Sequence, residues 1–289
     1  MSGYANTDVL VTTDWVKENL GKPKIKLVEV DVDTKAYEAG HIPGAVGFNW
    51  QTQLQDSVRR DIVGKEAFES LMSAAGIAND DTIVLYGDNN NWFAAYAFWL
   101  FKMYGHRDVR LMDGGRVKWL NESDKSLTTD PPKVTPSRYS ASSPELSLRA
   151  RVQNVLAAVD GRTHNLIDVR SPDEFTGKVI APPGMTETAQ RAGHIPGAAS
   201  VPWSTAVRPD GTFKSADELR TIYLDGAHVD PGKPTIAYCR IGERSSHTWF
   251  VLKYLLGYNN VTNYDGSWTE WGNLVGAPVE RGAAAAANR

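Results

Sequence analysis

The chain has 289 residues, enough for two domains of ordinary size, each able to bury its own core. Its formal net charge of −3 excludes the broad basic surface on which nucleic-acid binders depend and leaves small anions as the better ligands for a local basic pocket. A single cysteine excludes an internal disulfide.

Met1–Asp8 lacks a basic segment followed by an apolar one, and nowhere do 18 apolar residues run together. The expected setting is cytoplasmic, with no membrane partner and a reducing environment that suits one unpaired thiol. Leu27-Val28-Glu29-Val30-Asp31 is the first strand-like run, followed by His41-Ile42-Pro43-Gly44-Ala45 and Trp50. The pentapeptide returns as His194-Ile195-Pro196-Gly197-Ala198, an offset of 153 (194 − 41), and Trp203 repeats Trp50 at the same distance. Thr82-Ile83 recurs as Thr235-Ile236 at that offset, whereas Asp113-Gly114 and Trp119 recur as Asp265-Gly266 and Trp271 at 152 (265 − 113). Such internal repetition reads as a duplicated domain.

Between the copies, Pro131, Pro132, Pro136 and Pro144 among several serines read as a linker over 131–148. The expected division is therefore 1–130, linker, 149–280 and an alanine-rich tail over 281–289. Leu166-Ile167-Asp168-Val169-Arg170 matches Leu27–Asp31 at an offset of only 139 (166 − 27), so the second copy carries 14 extra residues (153 − 139) before its His-Ile-Pro-Gly-Ala. That insertion, with Gly177-Lys178 and Pro182-Pro183-Gly184, is a loop by composition. Strand-like runs at 165–169 and 235–238 alternate with helical patterns at 216–224 and 246–256, the latter stopped by Gly257. The expected class is α/β, each half a mostly parallel sheet flanked by helices.

Cys239 follows the strand Thr235–Tyr238 and opens the loop Cys239-Arg240-Ile241-Gly242-Glu243-Arg244 before a helix. Free cysteines commonly fill cores. Here a core site would desolvate Arg240, Glu243 and Arg244, which favours a nucleophile in an anion-binding loop. The arginines and the helix N-terminus are expected to lower the thiol pKa from about 8.5 by about two units, roughly 2.7 kcal/mol. Residues common to both halves are expected to maintain the fold, so His41, His194 and the repeated tryptophans and aspartates count as scaffold. By the 153 offset, Tyr86 stands where Cys239 stands in the second half, and the first half has no nucleophile. The pocket is then expected where the halves meet, with Trp92 and Phe93 as candidate lining or core. His247, two helical turns beyond Cys239, is expected to serve packing rather than general-base catalysis. No metal-ligand spacing or nucleotide loop is evident, so no cofactor is expected.

The paired His-Ile-Pro-Gly-Ala segments, Asp168-Val-Arg-Ser-Pro-Asp-Glu-Phe175, Cys239-Arg-x-Gly242 and Asp265-Gly-Ser-Trp268 resemble the tandem-domain rhodaneses, most of all the actinobacterial thiosulfate sulfurtransferases. The resemblance covers about residues 8–280 and implies an inactive N-terminal rhodanese domain and a catalytic C-terminal one. It implies a ping-pong sulfur transfer in which Cys239 attacks the outer sulfur of thiosulfate, sulfite leaves, and a thiophilic acceptor takes the sulfur from the resulting persulfide. Cyanide, small thiols or a thioredoxin-like protein are the implied acceptors.

Arg240 and Arg244 would bind the sulfonate, with Ile241, Gly242 and Glu243 completing the substrate loop. Asp168 and Arg170 would orient that loop or simply pair at a strand end, and Lys178 of the insertion would add charge. Some vertebrate members have arginine at the position of Glu174 and lysine at that of Ile241, so donor preference departs from theirs. A 3-mercaptopyruvate sulfurtransferase would carry a small residue in place of Arg240. A phosphatase loop would need arginine at position 245, which is serine. A persulfide carrier or thiol sensor shares the first half-reaction.

Overall fold

The computed structural model describes residues 3–122, 126–184 and 188–283. The strands are β1 (Leu10–Val11), β2 (Ile25–Glu29), β3 (Val46–Gly47), β4 (Gln55–Asp56), β5 (Asp61–Ile62), β6 (Thr82–Tyr86) and β7 (Val109–Met112). They continue as β8 (Arg149–Ala150), β9 (Asn165–Asp168), β10 (Ala199–Ser200), β11 (Thr235–Tyr238) and β12 (Val261–Tyr264). Two five-stranded sheets form, ordered β3-β2-β6-β7-β1 and β10-β9-β11-β12-β8, with every pair parallel, while β4 and β5 make a small antiparallel ribbon. Parallel neighbours need crossover connections, which the helices supply, and sheets covered on both faces explain why β6 and β11 read as unbroken apolar runs. Val84 and Tyr86 join one core with Trp119, and Ile236 and Tyr238 join the other with Trp268 and Trp271.

The chain divides into two compact units, residues 7–145 with 207–213, and residues 1–6 with 146–206 and 214–289. The proline-rich segment lies along the first unit: Ser137 N–H donates to Ser73 O at 2.9 Å, Ser142 N–H donates to Tyr104 O at 3.0 Å, and Tyr139 stacks on His106. In the second unit, Ala5 N–H donates to Leu255 O at 2.8 Å. The tail lies outside the described residues from 284 onward.

Strand register corrects one sequence reading. Val28 pairs with Leu85 and Glu29 with Tyr86, while Ile167 pairs with Ala237 and Asp168 with Tyr238. Tyr86 is therefore equivalent to Tyr238, an offset of 152 (238 − 86), and Gly87, not Tyr86, occupies the place of Cys239. The Thr-Ile identity at 153 is a coincidence one residue out of register. A side-chain pattern inside a short buried strand does not reveal such a slip, because neighbouring residues are apolar on both faces.

His41 and His194 are scaffold. Each sits in an antiparallel bridge, with Thr128 and Glu280 respectively, and stacks on Tyr37 or Phe175. Trp119 and Trp271 likewise donate from Nε1 to Ser126 O and Pro278 O, tying down the chain that follows each domain's last helix. Among the described residues no helix is long and apolar enough to cross a membrane.

Candidate active site

The loop after β11 lies at the carboxyl end of a central parallel strand, where α/β sheets place their sites, and runs into helix Glu243–Phe250. Cys239 Sγ is fully buried in this loop. Gly242 N–H donates to it at 3.1 Å, Ser245 Oγ lies 3.6 Å away, and the thiol itself faces Glu243 Oε2 at 3.5 Å. Gly242 has φ +100°, and a Cβ there would sit 2.5 Å from Asp265 Cα, so only glycine lets the loop pass this point.

A network fixes the loop from below. Gly242 O accepts from Ser246 Oγ at 2.7 Å and from Asn263 Nδ2 at 3.0 Å, and Ser245 Oγ donates to Asn263 Oδ1 at 2.6 Å. Ser267, at φ +51°, accepts the Cys239 N–H on Oγ at 3.1 Å and donates to Tyr264 O at 2.6 Å. Trp268 N–H donates to Cys239 O, and Thr269 holds Arg240 O through both its N–H and its hydroxyl. The sequence reading assigns no site role to Ser245, Asn263 or Ser267, although Ser267 lies within the Asp265-Gly-Ser-Trp268 motif. Ser267 had a detectable signal: its equivalent is Gly115, also at positive φ (+54°), so the shared backbone demands an unusual conformation there.

The thiol pKa is raised, not lowered as the flanking arginines suggested. Burial is the main cause and the Glu243 carboxylate adds to it, while Arg244 and the Ser245 hydroxyl and N–H oppose them. Arg244 is buried and donates from Nη1 and Nη2 to the two oxygens of Glu174 at 3.1 and 3.2 Å, with Nε 3.9 Å from Glu243 Oε1. Against the cost of burial, Arg244 holds Glu174 below the usual carboxylate range. The fork of Arg244 is thus engaged by Glu174 rather than held open as an anion clamp. Arg240 and Ile241 are buried on the loop.

Asp168 and Arg170 form a fully buried pair, with Nη2 to Oδ2 at 2.6 Å and Nη2 also donating to Gly193 O at 2.7 Å. The Arg170 guanidinium lies 4.5 Å from the ring of Trp268, whose backbone holds Cys239 O, so this pair supports the loop through Trp268. Lys178 is exposed and pairs with Asp173 at 3.3 Å. Phe93 stacks on Trp50 at 4.3 Å and half-buried Trp92 meets Phe93 edge-on, both within the first unit. His247 is buried edge-on against Trp203, and burial pushes its pKa down to about 3, so it is neutral and a poor base near neutral pH.

Such a loop suits sulfur chemistry: donors at fixed positions around one buried sulfur stabilise an anionic nucleophile or its sulfur-loaded form without reorganisation. A family model described as the rhodanese-like domain matches the chain twice, over residues 12–122 and 152–274. A protein of Mycolicibacterium smegmatis named "Putative thiosulfate sulfurtransferase" is 58% identical over 280 residues, covering 96% of this chain and all of its own length. The Thermus thermophilus sulfur carrier protein TtuD is 54% identical over 285 residues, covering 97% of this chain and 99% of its own. Among solved structures, SseA of Escherichia coli, a 3-mercaptopyruvate sulfotransferase, superposes with a TM-score of 0.79 at 29% identity, covering 91% of this chain and 99% of that one.

Proposed function

The chain belongs to the rhodanese-like family, and on that premise we propose that it is a thiosulfate sulfurtransferase working through a Cys239 persulfide. The observation that carries this reading is the buried Cys239 sulfur facing the Gly242 N–H and Ser245 at the mouth of a helix. Cys239 attacks the outer sulfur of thiosulfate, the S–S bond of thiosulfate breaks, and sulfite departs with its electron pair. The loop N–H groups then hold the terminal persulfide sulfur until a thiophilic acceptor attacks it. Arg240 is the proposed partner of the sulfonate. Arg244, whose fork is occupied by Glu174, adds positive charge to the loop and fixes its end.

The 54% identity to a sulfur carrier protein supports a second reading, in which the loaded sulfur passes to a protein rather than to cyanide. Incubation with thiosulfate and cyanide, with thiocyanate measured, tests the first. Thiocyanate is expected from thiosulfate in large excess over that from mercaptopyruvate, because a charged residue stands at position 240. Absence of both thiocyanate and a mass gain on Cys239 defeats the proposal. A mass gain of about 32 Da without turnover replaces the enzyme with the carrier.

A further inference from the structure

The Cys239 thiol has an identifiable destination for its proton. Glu243 is buried one helical turn away, with Oε2 3.5 Å from Sγ and Oε1 3.9 Å from Arg244 Nε. Gly242 N–H donates to the same sulfur and the Ser245 N–H favours its charged form, while Glu243 approaches it as an acceptor. Losing the proton to solvent would leave thiolate and carboxylate side by side in a buried site that must then admit a doubly charged donor. Moving it to Glu243 leaves the charge of the pair unchanged, which in a low-dielectric site is much the cheaper route.

We propose that Glu243 is the proton acceptor for Cys239, taking the thiol proton as sulfur is loaded and returning it when the sulfur is passed on. The inference rests on the thiosulfate reading above and names a catalytic residue for it. In the loading step the Sγ–H bond breaks, the proton goes to Glu243 Oε2, an Sγ–S bond forms, and the S–S bond of thiosulfate breaks to release sulfite. In the second step the acceptor bonds the outer sulfur, the Cys239 thiolate leaves, and Glu243 reprotonates it.

The other acidic groups near this pair, and the histidine, are already engaged or neutral. Glu174 is paired with Arg244, Asp265 with Arg149 at 2.8 Å, Asp168 with Arg170, and His247 is uncharged. Arg240 carries its positive charge on the same loop, and the Tyr238 hydroxyl accepts from Ile195 N–H at 3.1 Å.

The test is the rate of persulfide formation from thiosulfate as a function of pH, read by mass, in the wild type, Glu243→Gln and Glu243→Asp. The wild type is expected to load most rapidly at intermediate pH, falling at low pH when both groups are protonated and at high pH when both are ionised. Glu243→Gln is expected to lose the alkaline fall and to slow about tenfold per pH unit below its thiol pKa. Glu243→Asp is expected to keep both limbs. A Glu243→Gln profile with the wild-type alkaline limb overturns the proposal.

A second arm needs no donor: the thiolate absorbance of Cys239, taken as a difference against Cys239→Ser. Its midpoint should fall by about one pH unit or more in Glu243→Gln, since the neighbouring negative charge is gone. An unmoved midpoint overturns the proton pairing. A moved midpoint in a protein that thiosulfate never loads keeps the pairing and defeats the donor assignment.

Discussion

The two units build the same strand end by opposite means. In the second, Asp168 is held by Arg170 two residues on, and Tyr238 joins this carboxylate to the N–H of Ile195. In the first, Glu29 takes the place of Asp168, Tyr86 donates to it and accepts from Ile42 N–H, and the arginine arrives from the other wall as Arg116. Arg116 occupies the position of Trp268, and Asp31 that of Arg170. The carboxylate, tyrosine and turn amide are thus the inherited frame, and the charge partner is interchangeable. The loop itself is not interchangeable: Gly87 stands for Cys239, with Asn89, Asn90 and Asn91 all in the left-handed region, whereas in the Cys239 loop Gly242 takes that conformation. The hairpin residue Gly211 also closes on Gly114 and Asn90, where a Cβ would come within 2.8 Å of Gly114 O. The two copies therefore differ at this loop in backbone path as well as in one side chain.

The sharpest attempt to break this comparison is to move the nucleophile. Cys239→Ser is expected to lower thiocyanate formation by about 10³-fold or more, by the scale of removing other nucleophiles. Adding Gly87→Cys to that variant should restore nothing, because a Cβ at Gly87 would lie 2.1 Å from Val30 O. Recovered thiocyanate would show that the two loops differ only in side chain. Next in size, Glu174→Ala should destabilise the second unit by about 3–5 kcal/mol in denaturant unfolding, as it leaves Arg244 buried without its carboxylate.

The smallest effect expected is in the first unit. Burial, with Glu29 and Asp88 nearby, raises the Asp31 pKa to about 8. A carboxyl favoured in its protonated form contributes stability that is complete below its unfolded pKa near 4 and is lost as pH rises through about 8. Asp31→Asn should therefore raise the melting temperature at pH 8 to 9, by about 1–2 kcal/mol in stability, and change it little at pH 4. A gain as large at pH 4 would mean that Asp31 is charged throughout and that the two strand ends are more alike than their geometry suggests.

Much of the site was legible because its signals are local or repeated. A lone cysteine after an apolar strand and ahead of two arginines located the loop, and the glycine at 242 is required by its own backbone angle. Glu174 could be named only as a departure, since its bond to Arg244 spans 70 residues. Glu243 reads in sequence as one more charge, and only its approach to the sulfur makes it an acceptor. The sign of the thiol pKa shift is hidden in the sequence for the same reason: the sequence shows two arginines, whereas burial and the Glu243 carboxylate outweigh the opposing charge of Arg244 in space.

The sequence by itself determined the duplication, the α/β class, the half that holds the one cysteine and the loop that carries it, because these follow from chain periodicity and from residue chemistry at fixed spacing. Tertiary structure alone decided which residues of the two halves are equivalent, where each arginine spends its hydrogen bonds, and which carboxylate meets the sulfur. Those depend on strand register and on contacts between distant segments, where a shift of one residue or of a few ångströms reverses the chemical meaning of the same letters.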